Sequence, residues 1–291
     1  MTIAERSEAA AVLSPEDRAF FDRNGYVVVH NAVPQENLDR LIAVIFEFLG
    51  MDPNDPGDWY RPPLSPGGMV EMYQHQALWD NRQNPRVHRA FSEILGTEKL
   101  WVSFDRAGVK PPAHPDHPEY EHKGFLHWDL DPTKLPQPFG VQGVLYLADT
   151  DANMGGFQCV PGHHKVLEAW GQRPPSERGE APRPDPADAI PIPGKAGDLV
   201  IWNRLLFHGN GHNRSDRPRL AQYITMFPAQ TYDAVFGKES QREERIHQWR
   251  NRLSPQASWA PGDPRRTEEL HGKAAELTPL GRKLLGLDAW E

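Results

Sequence analysis

The spacing of apolar residues changes partway along the chain. Up to about residue 96 they recur at helical intervals. Leu38, Leu41, Ile42, Ile45, Phe46 and Leu49 share one face of a helix predicted over 35–49. Val87, Phe91, Ile94 and Leu95 do the same for a helix opened by Asn84-Pro85 and ended by Gly96. An earlier helix begins at Ser14, a hydroxyl cap followed by Pro15, Glu16 and Asp17, residues suited to a first turn, and stops at Gly25. Tyr26-Val27-Val28-Val29 then reads as a strand buried on both faces. Beyond residue 100 the apolar runs shorten, predicting strands over 100–109, 124–129, 141–147, 155–160, 198–202, 205–208 and 219–227.

Helices first and short strands afterwards predict a mainly β fold with flanking helices, an all-β core carrying helices on one face. We expect a single domain over 1–291: helical support at 14–96, a core over 100–228 interrupted by a Pro-rich insertion at 165–196, and helices again over 239–291. Residues 1–13 read as a leader. The segment 51–68, dense in Pro, Gly and Asp, reads as a lid or as an ordinary surface loop, and 69–79 as irregular chain able to roof a pocket.

Charge and cysteine content narrow the functional classes. The net charge is −8 and no run of five basic residues occurs, so a nucleic-acid partner, which needs a basic footprint, is not expected. No apolar stretch approaches the roughly 20 residues a membrane helix needs, and the acidic start lacks a signal-peptide pattern. The only cysteine, Cys159, forms no intrachain disulfide and reads as a small buried residue. The expectation is a cytoplasmic protein acting on a small molecule.

The candidate chemistry centres on His122 to Pro132. On an extended strand His127 and Asp129 project from one face, so an imidazole and a carboxylate can grip one ion. His208, far downstream, is the third candidate. Two histidines and a carboxylate on one face of a metal, with the other positions open, typify non-haem Fe(II) oxygenases, though hydrolytic zinc accepts the same donors. The segment 209–218 is turn chemistry throughout, and a hairpin through it sets Arg219 opposite His208. A guanidinium there suits the far carboxylate of a chelating dicarboxylate, with Arg214 and Arg217 as nearby alternatives. His114, His117, His122 and the pair His163-His164, placed in a turn, are decoys for the metal. Trp128 lies between the two proposed ligands, faces away from them and packs, whereas Trp202 and Phe207 line a cavity or fill the core.

Five stretches resemble the phytanoyl-CoA dioxygenase family of Fe(II)/2-oxoglutarate-dependent oxygenases. They are Phe20 to Val28, His127-Trp128-Asp129, Leu147 to Lys165 with Val160-Pro161-Gly162-His163-His164, Gly197 to Trp202 with His208-Gly209, and Arg219. Departures are His163 in place of the usual serine, and Asn210 where a serine often follows the distal histidine. The resemblance implies a double-stranded β-helix, a jelly-roll or cupin-like core. It implies Fe(II) held by His127, Asp129 and His208, and 2-oxoglutarate anchored by Arg219 with Gln142 facing it. Oxidative decarboxylation with O2 would then yield succinate, CO2 and a hydroxylated substrate. Asp129 argues against the related halogenases, which lack that carboxylate. The competing classes are a metal-dependent cupin-like hydrolase or isomerase, and a catalytically silent binding module on the same barrel.

Overall fold

A computed structural model of the protein describes residues 11–229, 240–255 and 262–290; the first ten residues of the leader, and 239, 256–261 and 291 of the helical tail, lie outside these. Helix α1 (Pro15–Asn24) carries the reciprocal cap that its sequence asks for: Asp17 N–H donates to Ser14 Oγ, and Ser14 N–H to the Asp17 carboxylate. It is followed by β1 (Tyr26–Val29), α2 (Gln35–Leu49), β2 (Met69–Val70), α3 (Gln76–Arg82) and α4 (Pro85–Leu95). Strands β3 (Leu100–Val102), β4 (Ala107–Lys110), β5 (Phe125–His127), β6 (Val141–Tyr146) and β7 (Phe157–Cys159) come next, then α5 (His163–Gly171). The chain continues through β8 (Ile190–Pro191), β9 (Leu199–Asn203), β10 (His208–Asn210), β11 (Arg219–Tyr223) and β12 (Met226–Pro228), and ends in α6 (Ser240–Asn251), α7 (Thr267–His271) and α8 (Pro279–Leu285).

Two sheets make the core. The large one runs β1-β9-β6-β11-β4-β2 and the small one β5-β10-β7-β8, with β12-β3 as a separate pair. Alternation along the strands of the large sheet sorts its side chains into two layers. Val27, Val29, Leu145, Leu199, Ile201, Leu220 and Val109 join the cluster that packs against Leu38, Leu41 and Ile45 of α2 and Val87 and Phe91 of α4. Tyr26, Val144, Tyr146, Val200, Trp202 and Ala221 face the other way, onto Phe157 and Cys159 of the small sheet. This is the double-stranded β-helix with helices on one face. Residues of the large sheet two removed from those inner positions, Gln142 and Arg219 among them, therefore point into the space between the sheets. None of the described helices is long and apolar enough to cross a membrane.

Several predicted elements change shape. The expected strand over 100–109 is two, β3 and β4, and that over 219–227 is split into β11 and β12 at Ile224-Thr225. Residues 204–206 turn instead of extending, and the strand begins at His208. His163-His164 open α5 rather than sit in a turn. Residues 69–79 are irregular only over 71–75: β2 pairs with β4 before them, α3 follows, and Tyr73 and Trp79 are fully buried. The loop 51–68 is tied down by buried Trp59, Tyr60 and Leu64, with Tyr60 Oη donating to Pro112 O.

Candidate metal centre

Strands β5 and β10 are antiparallel neighbours with His208 directly opposite His127, so the two imidazoles leave the sheet on the same side. Asp129, two residues past His127, reaches both: Oδ1 lies 3.0 Å from His127 Nε2 and Oδ2 3.4 Å from His208 Nε2. One ligand atom from each of the three falls within 4.8 Å of the others. His208 is buried, and its Nδ1 lies 2.9 Å from Leu206 O. A carbonyl only accepts, so Nδ1 carries a proton and Nε2 is the ring nitrogen turned to Asp129, the one left for a metal. The rings of Trp202 and Phe157, 5.0 and 5.8 Å away, wall this histidine.

Burial works to raise the Asp129 carboxyl, but hydrogen bonds with His127 and His208, the His208 charge and a bond from Gln142 outweigh it and hold the group well below the usual carboxylate range. The result is a fixed anion between two imidazoles, a donor set that suits a first-row divalent metal. Gln142 Nε2 donates to Asp129 Oδ2 at 2.6 Å, so this residue meets the carboxylate itself. Trp128 turns away: its Nε1 donates to Leu205 O and its ring packs on Phe207 and His163.

Arg219 is 1% exposed, and its Nε and Nη2 are buried without a hydrogen-bond partner. It does not face His208 across a hairpin. His208 lies on β10, flanked on both sides by β5 and β7, and Arg219 on β11, flanked by β4 and β6, so neither strand has a free edge for the other. The chain from 211 to 218 instead crosses from one sheet to the facing one. Arg217 pairs with Asp151 at the surface and Arg214 donates to His212, which leaves Arg219 as the inward guanidinium of the three.

Sequence reasoning overlooked three neighbours of Arg219. Lys110 lies opposite it across the β4–β11 ladder, is buried, and has no partner for Nζ. Burial, then Arg219, pushes that amine down to about 6. His122 is pushed down to about 4, first by burial and then by Lys110 and Arg219. Tyr223, on the same face of β11, leaves its hydroxyl unpartnered. Strand alternation held the available signal: with Ala107 and Val109 on the helix side, Lys110 falls on the inner side.

A family model for phytanoyl-CoA dioxygenase (PhyH) matches residues 21–221, which contain His127, Asp129, His208, Gln142 and Arg219. The chain belongs to the phytanoyl-CoA dioxygenase family. It is 27% identical over 267 residues to a putative phytanoyl-CoA dioxygenase of Dictyostelium discoideum, covering 74% of this chain and 76% of that protein. It is 25% identical over 235 residues to an ectoine dioxygenase of Bordetella bronchiseptica, covering 72% and 74%. Among solved structures, the epimerase SnoN in complex with Fe3+, alpha ketoglutarate and nogalamycin RO matches with a TM-score of 0.54 at 18% identity, over 74% of this chain and 83% of that one. At that identity the likeness speaks for the fold.

In this dioxygenase a cavity of about 660 Å3 opens beside the metal centre, sharing Asp129 and Gln142 with it. Leu130, Phe139, Val141 and Phe227 supply apolar wall. Arg204, whose guanidinium donates to Gln137 Oε1, and Lys134 supply a cationic edge.

Proposed function

We propose that the protein is an Fe(II)- and 2-oxoglutarate-dependent dioxygenase that hydroxylates an unactivated C–H bond of a small organic molecule, releasing succinate and CO2. The observation that carries the reading is the pairing of a three-donor cluster with a buried guanidinium whose Nε and Nη2 find no partner among the described residues. A hydrolytic metal site has no task for that second part.

The donor set fits the metal: His127, Asp129 and His208 would hold iron, and Arg219 the far carboxylate of 2-oxoglutarate. When bound, iron supplies a place for 2-oxoglutarate and O2 to meet, and with it the oxidative decarboxylation that drives hydroxylation. The protein's own residues set the conditions. Gln142 fixes the orientation of the Asp129 carboxylate, and Leu206 O fixes the tautomer of His208. Phe157 and Trp202 exclude water behind His208. The apolar wall of the adjoining cavity admits a substrate of small-molecule size next to Asp129.

Anaerobic addition of Fe(II) and 2-oxoglutarate tests the reading. A weak visible charge-transfer band of the chelate is expected in the wild type and is lost in Asp129→Ala. In Arg219→Ala the 2-oxoglutarate needed to develop it rises steeply. A wild type with no band under saturating iron and cosubstrate would overturn the proposal.

A further inference from the structure

The space between the sheets holds more basic groups than one arginine anchor accounts for. Lys110 and Arg219 are paired across their ladder, leave it on the same side, and are 5% and 1% exposed. Lys110 Nζ and Arg219 Nε and Nη2 all lack a hydrogen-bond partner, and among the described residues no carboxylate pairs with either side chain. Among the described residues, the groups packed around Lys110 offer no anion. From β11 come Arg219 and, beyond it, Tyr223; ring and guanidinium both pass 3.5 Å from where a Cβ on Gly108 would lie. From the chain before β5 comes His122, on which Lys110 and Arg219 both press. From the turn before β2 comes Gly68, where an added Cβ would lie 3.1 Å from Lys110 Cγ, so the missing side chain makes room for the lysine stem. A buried charge left without its ion-pair partner is strongly destabilising. Here a guanidinium stands in that condition beside an amine that the same surroundings keep from charging, and an entering anion would relieve both.

We propose that Lys110 is a second anchor for the far carboxylate of the cosubstrate, which it grips together with Arg219 while taking up a proton. The inference rests on the 2-oxoglutarate reading above. Burial and the neighbouring guanidinium bring the empty-pocket amine down to about 6, so at neutral pH most Lys110 is uncharged. A carboxylate between the two groups reverses that repulsion and favours the ammonium. Binding therefore gathers a proton at any pH between the empty-pocket value and the higher value in the complex, and affinity falls as pH rises through that window. Below about pH 6 the amine is already charged and this contribution to pH dependence vanishes. Arg219 cannot produce the effect, because a guanidinium stays charged throughout.

Calorimetric titration of the anaerobic Fe(II)-loaded protein near pH 7.5, in two buffers of different ionisation heat, tests the idea with two probes. These are 2-oxoglutarate and 2-oxopentanoate, which has the chelating end but no far carboxylate. The wild type should prefer 2-oxoglutarate and take up close to one proton with it. Lys110→Met should bind 2-oxoglutarate about 10- to 100-fold more weakly, the loss expected for a hydrogen bond to a charged group. It should bind 2-oxopentanoate as before, which shows an intact metal end, and take up no proton. Lys110→Arg should recover the affinity without the uptake, and His122→Gln should keep both. If Lys110→Met retains the preference and the uptake, the role of Lys110 is overturned while the cosubstrate reading stands. If the wild type does not distinguish the two acids, the dicarboxylate reading falls and takes the second anchor with it.

Discussion

At the scale of single residues, the candidate site is held by groups that are not themselves donors to a metal. Gln142 satisfies one oxygen of Asp129 at 2.6 Å while its own Oε1 has no partner. Gln142→Leu keeps the volume and removes that bond, and groups that orient metal ligands are typically worth about 10- to 100-fold in affinity. We expect Fe(II) or Mn(II) titration to show a loss of that order with the unfolding midpoint of the metal-free protein unchanged. Lys110→Met should go the other way in stability. It replaces a buried, unpaired amine by an apolar side chain of similar shape, so the ligand-free variant should melt above the wild type, measured by calorimetry without cosubstrate. The meeting of His127, Asp129 and His208 was legible from a His-x-Asp spacing and a histidine on a later strand, although β5 ends at His127 and Asp129 lies in the bend after it rather than on the strand. Lys110 was not, since a lone lysine in sequence carries the expectation of a solvated charge, and only the register opposite Arg219 reveals its burial.

At the scale of elements, the sequence reading failed where strand pairing is decided by neighbours rather than by the turn. Residues 209–218 have the composition of a hairpin loop, yet both flanking strands already have partners on each side, so the loop becomes a crossover between sheets. Strands 100–109 and 219–227 were each read as one because a single buried apolar residue, Phe104 in one break and Ile224 in the other, carries the pattern across. Helices α2 and α4 were legible since their apolar stripes are long and their ends are marked, in α4 by Asn84 Oδ1 accepting from Arg86 N–H and by Gly96 in the left-handed region. The C-terminal α7 shows an attachment no periodicity signals: Glu268 accepts from the backbone N–H groups of Tyr73 and Gln74. Burial pushes this carboxyl up to about 7 despite those bonds. The unfolded chain releases the proton near 4.5 and the folded one only near 7, so this group's stabilisation is complete below the lower value and is lost as pH rises through the upper. Glu268→Gln should flatten that part of the stability profile, read from urea unfolding at a series of pH values across the interval.

At the scale of the whole molecule, what folds the protein and what equips it are spatially separate. The largest apolar cluster lies on the helix side of the large sheet, where α2 and α4 pack, whereas the histidines, Asp129, Arg219 and Lys110 belong to the space between the sheets. That separation predicts how metal and stability are linked. Removing metal with a chelator should leave the sheets and the helical layer folded, because the main core contains none of the donors. Adding Fe(II) anaerobically, or Mn(II), should then raise the melting temperature by mass action, about 2.7 kcal/mol at a hundred times the dissociation constant. A His127→Ala, Asp129→Ala double variant should melt close to the stripped wild type and show no such rise. Calorimetry of the two proteins with and without metal checks both halves. Unfolding of the wild type on chelation would mean that the space between the sheets, rather than the helical layer, supplies the dominant stability, and a rise in the double variant would mean that the metal binds elsewhere.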